Sequence, residues 1–180
     1  MHLGYISAHV IRFPHALCPA SGGRNVKLSL LAVGDKLPDW AEAATAEYLK
    51  RLPREARVGL MTVRPEKRAG QSPDNIKQIE AQRLLDKVQQ GARLVALDEH
   101  GRQVSTRELA ELIERWRADG RDTVLVMGGA DGLAASLLAA AELKLSLSRL
   151  TLPHALARVV LAEQIYRAVS LLGNHPYHRD

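Results

Sequence analysis

From residue 26 onward the chain alternates short, continuous apolar runs with longer stretches in which apolar positions recur every three or four residues. Residues 26–33 form the first run, broken by Gly34, and Pro38 with Asp39 then opens a helical pattern that continues to about Leu52. Residues 58–63 predict a second strand. The polar, breaker-rich stretch 64–73, which carries Arg64, Lys67 and Arg68, leads into a helix over about 74–89. Residues 93–97 predict a third strand that turns at Asp98-Glu99-His100-Gly101. Ser105-Thr106-Arg107-Glu108 has the spacing of a capping box for a helix through Trp116. A fourth strand at 123–127 delivers the chain to Gly128-Gly129-Ala130-Asp131-Gly132, after which alanine and leucine content predicts a helix over 133–143. A short fifth strand follows at 145–148, and Pro153 suits the first turn of a last, almost wholly apolar helix over about 154–172.

Strand and helix therefore alternate throughout, and the strands read as apolar on both faces. That pattern predicts an α/β domain on a mostly parallel sheet with helices on both sides. A chain of 180 residues suits one such domain. Residues 26–180 are assigned to it, whereas residues 1–25 lack a period, end in Ser21-Gly22-Gly23-Arg24-Asn25, and are expected to be a short disordered extension or an over-extended reading frame.

Composition narrows the chemistry. The chain is 46% apolar but only 4% aromatic, so aliphatic side chains must supply most of the core. The formal charge is +5; Arg12 and Arg24 lie in the acid-free front segment, which leaves 23 basic against 20 acidic groups afterwards. A mild excess permits a local basic patch and is too small for an arm that holds polyanions by charge alone. One cysteine, Cys18, excludes an intramolecular disulfide framework. No apolar run reaches the length of a bilayer span, so residence in the cytoplasm without membrane attachment is expected.

Four segments carry candidate chemistry. The glycine-rich run 128–132 lies between a buried strand and a helix, where open α/β sheets bind ligands; a plain tight turn is the alternative. It is neither G-x-G-x-x-G nor a phosphate-cradling loop, which argues against nicotinamide and P-loop chemistry. The segment Ser148-Arg149-Leu150-Thr151-Leu152-Pro153-His154 can hold an adenine-like edge on its backbone with Leu150 and Leu152 over the faces, or can simply shape the helix entry. On the last helix Glu163 and Arg167 stand four apart in the favourable order for an ion pair. Arg158 has no acid at that spacing and calls for a carboxylate elsewhere in the fold, a partner subunit or a phosphate. The chain closes with Asn174-His175-Pro176-Tyr177-His178-Arg179-Asp180. His175 and His178 lack the further convergent ligands of a metal site, and none is assigned.

Taken together, Lys27-Leu28 with Ala32-Val33-Gly34, Pro38-Asp39-Trp40, the glycine loop, Leu150-Thr151-Leu152-Pro153-His154 and the terminal Asn-His-Pro-Tyr-His-Arg closely resemble the RlmH family, ribosomal RNA large-subunit methyltransferases of the knotted SPOUT superfamily. The resemblance covers residues 26–180 and implies a C-terminal trefoil knot, which ordinary connection rules would not suggest. It implies a homodimer that binds S-adenosylmethionine among knot loops and methylates N3 of a pseudouridine in helix 69 of 23S rRNA within the 70S ribosome.

By the same resemblance Leu97, Gly129, Ser148, Arg149, Leu150, Thr151, Leu152 and Pro153 correspond to cofactor-contacting positions. Arg158, Arg167, Tyr177, His178 and Arg179 lie near the methyl donor or the RNA. Arg167 or Arg179 would place positive charge near the reacting ring, and His178 or His154 would accept the N3 proton, with His178 favoured. Lys67, Arg68 and Lys77 are candidate RNA contacts. Where relatives often have Pro-Glu, this chain has Ala130-Asp131, which would loosen the glycine loop. Transfer RNA as the substrate, and a non-catalytic ribosome-binding role, are the competing readings.

Overall fold

The computed structural model of the chain describes residues 26–173. Its strands are β1 (Leu28–Val33), β2 (Val58–Val63), β3 (Arg93–Gln103), β4 (Thr123–Met127) and β5 (Leu143–Ser146). Its helices are α1 (Asp39–Lys50), α2 (Pro73–Leu85), α3 (Thr106–Ala118), α4 (Ala135–Ala140) and α5 (His154–Leu172), with a 3-10 turn at Arg54–Ala56. The strands lie in the order β2-β1-β4-β3-β5, and each neighbouring pair is parallel. The expected parallel α/β sheet is therefore present, and all strand C-termini share one edge.

Side chains alternate across the sheet, so each strand feeds two cores. On one face Leu30, Ala32, Val95 and Leu125 pack with Leu109, Ile113 and Trp116 of α3 and with Leu161, Ile165 and Val169 of α5. On the other, Leu31, Val33, Leu94, Ala96, Val124 and Val126 pack with Ala81 and Leu84 of α2 and Leu137 of α4. Each fully buried aliphatic side chain of this kind contributes roughly 1.5–3 kcal/mol against remaining exposed. The capping box closes as its spacing predicts: Glu108 N–H donates to Ser105 Oγ, and Ser105 N–H donates to the Glu108 carboxylate at 2.7 Å.

Four departures from the pattern have physical causes. The edge strand β2 is not apolar-buried on both faces; Gly59, Leu60 and Thr62 are exposed because no strand lies beyond it. Helix α4 is shorter than 133–143 because Ala134 and Ala141 both take extended backbone and bound it at each end. β5 starts two residues earlier than expected. β3 does not end at Leu97: Leu145 pairs with both Leu97 and Arg102, so residues 98–101 bulge from the ladder and pairing resumes beyond them. Gly101 permits the re-entry, since a Cβ there would lie 2.6 Å from the Leu145 carbonyl carbon. The bulge lifts Asp98 and Glu99 over the C-terminal edge of the sheet. Among the described residues no helix is long and apolar enough to cross a membrane.

Candidate active site

A cavity of about 470 Å3 opens at that C-terminal edge, between the ends of β3, β4 and β5. Leu97 and the bulge residues Asp98 and Glu99 form one wall, the turn from Gly128 to Leu133 a second, and the segment from Ser146 to His154, apart from Arg149, the third. Seven of the eight predicted cofactor positions thus surround one space: Leu97, Gly129, Ser148, Leu150, Thr151, Leu152 and Pro153. Arg149 is exposed outside it. The third wall braces itself locally, as Ser146 Oγ donates to Ser148 O and Leu150 N–H donates to Ser148 Oγ, each at 2.9 Å. Thr151 Oγ1 reaches across to Glu99 at 3.4 Å. Leu150 lies at the cavity rim and is 75% exposed.

Beneath the glycine turn lies a group that sequence reasoning missed. Glu80 of α2 is 4% exposed, its Oε1 accepts the Glu66 N–H at 2.9 Å, and its Oε2 has no hydrogen-bond partner among the described residues. A Cβ on Gly129 would stand 2.7 Å from that oxygen. Glycine lets the loop approach this closely, since any larger residue would make the Glu80 side chain shift, and it sets a buried carboxylate directly against the loop backbone. The available signal was an acid on the apolar face of α2, one turn after Ile76 and one before Leu84. A second tie comes from Arg68, whose Nη2 donates to both Asp131 carboxylate oxygens at 3.0 Å. Ala130-Asp131 therefore does not leave the turn unrestrained.

Arg158 is 2% exposed, and among the described residues it meets no carboxylate. Its Nη2 donates to Val33 O at 3.0 Å and Gly34 O at 3.1 Å and lies 2.9 Å from His154 Nε2, while its Nε is unpartnered among the described residues. Two backbone carbonyls at the end of β1 thus receive the guanidinium. A guanidinium can only donate, so this contact is a hydrogen bond in the His154 tautomer whose Nε2 carries no proton. Burial first, and the adjacent Arg158 charge second, push His154 below its ordinary value, with a backbone contact at Val33 acting the other way. Burial likewise lowers Arg158. His154 lines the cavity and Arg158 stands behind it, as a group that positions the ring.

Arg167 lies two to three turns further along α5, where its Nε and Nη2 both donate to Glu163 Oε1, at 2.8 and 2.6 Å. Tyr177, His178 and Arg179 lie outside the described residues, as does the front segment 1–25.

Comparison with known proteins gives the chain its chemistry. A family model described as "Predicted SPOUT methyltransferase" matches residues 26–178. The chain belongs to the SPOUT methyltransferase family. Its relatives include the ribosomal RNA large subunit methyltransferase H of Nitrosomonas eutropha, 49% identical over 154 residues that cover 86% of this chain and 99% of that protein. The protein of the same name from Burkholderia mallei is 50% identical over 155 residues, with coverages of 86% and 99%. A probable methylase family protein from Haemophilus influenzae overlaps the fold with a TM-score of 0.49 at 13% identity, covering 87% of this chain and 71% of that one, a likeness too loose to argue from.

The parallel α/β fold is that of the family, and the knotted form that the resemblance implies is consistent with the assignment. The enzyme is accordingly an S-adenosylmethionine-dependent methyltransferase, and the cavity's own residues fit that donor. Leu97, Leu147, Leu150 and Leu152 offer apolar cover, and the backbone around Gly129 and Leu150 offers hydrogen-bonding edges. Asp98, Glu99 and Asp131 supply negative charge for a ligand that carries a sulfonium and an ammonium.

Proposed function

We propose that this methyltransferase modifies ribosomal RNA of the large subunit, at N3 of a pseudouridine in helix 69 of 23S rRNA within the assembled ribosome. The observation that carries the reading is the coincidence of near-complete coverage by large-subunit rRNA methyltransferases with a donor-sized cavity at the sheet edge. S-adenosylmethionine supplies an electrophilic methyl group. The protein's part is to hold donor and base in line, remove the N3 proton and stabilise anionic character on the ring oxygens.

Leu97, Gly129 and the 148–153 segment hold the donor in this reading, with Arg149 reaching the RNA from outside the cavity. His154 is a poor proton acceptor in this reading, since burial and the adjacent Arg158 charge disfavour its protonated form. His178 is the acceptor instead, and Tyr177 and Arg179 join it at the base. Arg167 contributes charge from α5, tempered by Glu163.

The enzyme works as a homodimer in the cytoplasm, where its substrate is found. In support, α5 leaves Leu156 exposed and Val159 and Val160 half-buried, an apolar strip suited to a second copy. Residues 26–180 act as one domain, and residues 1–25 take no part.

The test is to incubate the protein and radiolabelled S-adenosylmethionine with ribosomes lacking the modification, then map the label by mass spectrometry. Label at N3 of the helix 69 pseudouridine is expected. Label on transfer RNA or at another ribosomal position overturns the substrate, and ribosome binding without any label overturns the enzymatic reading.

A further inference from the structure

The basic loop between β2 and α2 is the charged feature that the donor site leaves unused. It walls an open cleft of about 700 Å3 lined by Arg64, Lys67, Arg83 and Lys87, with Glu66 and Asp86 as its acids. Those acids are already engaged. Glu66 is paired with Arg83, which holds its carboxyl below the usual range, and Asp86 accepts from Gln82 at 2.7 Å. Arg83 is fixed a second time by donating to Arg64 O at 3.0 Å. Arg64 is 89% exposed and meets Asp35 only at 3.8 Å, and among the described residues no ion pair engages Lys67 or Lys87. Lys77, the other lysine of this region, is held by Asp74 at 2.7 Å.

The cleft is joined to the donor cavity by one residue. Arg68 follows Lys67 in the same loop and grips Asp131, which is part of the cavity wall. A cationic track therefore runs from the cavity mouth along the C-terminal edge of the sheet. We propose that this track, with Arg64, Lys67 and Lys87 as its contact groups, holds the sugar–phosphate backbone of the RNA beside the nucleotide being methylated. The inference rests on the rRNA reading above and adds to it the surface that positions the substrate. A strand that delivers one base to the cavity lays its neighbouring phosphates beside the mouth, and on the side that Arg68 and Asp131 join to the cleft they meet solvent-facing positive charge. Of the large exposed apolar side chains, Trp40, Leu60, Leu150 and Leu156, none lines the cleft, so its chemistry suits a polyanion better than an apolar protein face.

The experiment is the salt dependence of binding to ribosomes lacking the modification, measured between about 50 and 200 mM salt at fixed magnesium. Each lost phosphate contact flattens the slope of log affinity against log salt by roughly 0.7–1. Arg64→Ala combined with Lys67→Ala should flatten it by between one and two and weaken binding about tenfold at the middle of that range. Affinity for S-adenosylhomocysteine, read by calorimetry on the same variant, should be unchanged, which shows the cavity intact. Lys50→Ala, at the opposite end of α1, should leave the slope as it was. A wild-type slope in the double variant overturns the inference while leaving the rRNA reading in place. Weaker binding with an unaltered slope also overturns it and points to a ribosomal protein as the contact. Failure of the wild-type protein to bind ribosomes refutes the functional reading itself.

Discussion

The two edges of the sheet handle charge in opposite ways. At the N-terminal edge, Arg93 is paired with Asp119 and lies 3.5 Å from Glu142, while Arg121 donates to Asp119 at 2.8 Å and to both Glu142 oxygens at 2.9 and 3.0 Å. The cations and acids of that network close on one another, and Lys27 N–H adds a further tie to Asp122 at 2.9 Å. At the C-terminal edge, two buried polar atoms have no hydrogen-bond partner among the described residues: Glu80 Oε2 beneath the glycine turn and Arg158 Nε behind His154. Unsatisfied buried groups cost stability, so a fold that closes one edge and leaves the other open has reserved the second for ligands and moving loops.

The largest effect should come from Arg158. Arg158→Met keeps much of the volume but abandons the Val33 and Gly34 carbonyls and frees His154, at a cost of about 1–3 kcal/mol by urea denaturation. The same variant should raise the His154 titration toward its ordinary value without fully restoring it, because burial is the larger cause and persists. In the wild type the depressed His154 value makes the unfolded state bind more protons, so its contribution is whole above about pH 6.5 and is lost as the pH falls through the folded value. Removing the titrating group with His154→Asn should flatten that part of the stability curve. An unchanged pH profile would break the contrast at its C-terminal end.

Next in size is the glycine turn. Gly129→Ala drives a methyl group toward Glu80 Oε2 and should weaken donor binding about tenfold, or roughly 1.4 kcal/mol. Glu80→Gln, which keeps the shape and loses the charge, should raise the KM for donor while leaving kcat within about twofold, since Glu80 acts through the loop rather than on the reacting atoms. Equal losses in both parameters would give Glu80 a different role.

Smallest should be Glu142→Gln at the closed edge. The Arg121 hydrogen bonds foremost hold Glu142 below the usual carboxylate range, so its contribution is present above the unfolded value near 4.5 and lost as the pH falls through the folded one. The pair is largely exposed and screened by salt, so thermal midpoints should fall by only a few degrees at neutral pH. Variant and wild type should converge in acid, with donor binding untouched throughout.

Much of this division was legible in the chain. Predominantly apolar runs at β1 and β4 marked strands buried on both faces, and Gly128 to Gly132 after β4 marked a candidate ligand edge. Ser105 and Glu108 announced α3. The overrun of β3 was not legible, because Asp98-Glu99-His100-Gly101 has the chemistry of a turn, and only the tertiary approach of Gly101 to β5 makes it a bulge. Nor could spacing show that two carbonyls, rather than a carboxylate, would receive Arg158, because backbone acceptors leave no trace in residue type. Glu80 carried a weak signal, an acid on an apolar helix face; its meaning came only from the loop above it.

The most direct test of the contrast between edges is amide hydrogen exchange of the intact protein with and without S-adenosylhomocysteine. Donor-site occupancy should slow exchange at residues 97–99, 128–133 and 146–154, and leave residues 119–123 and 142 unchanged. Protection confined to the N-terminal edge, or calorimetrically verified binding with no protection at the three C-terminal segments, would contradict the assignment of that edge as the methyl-donor site.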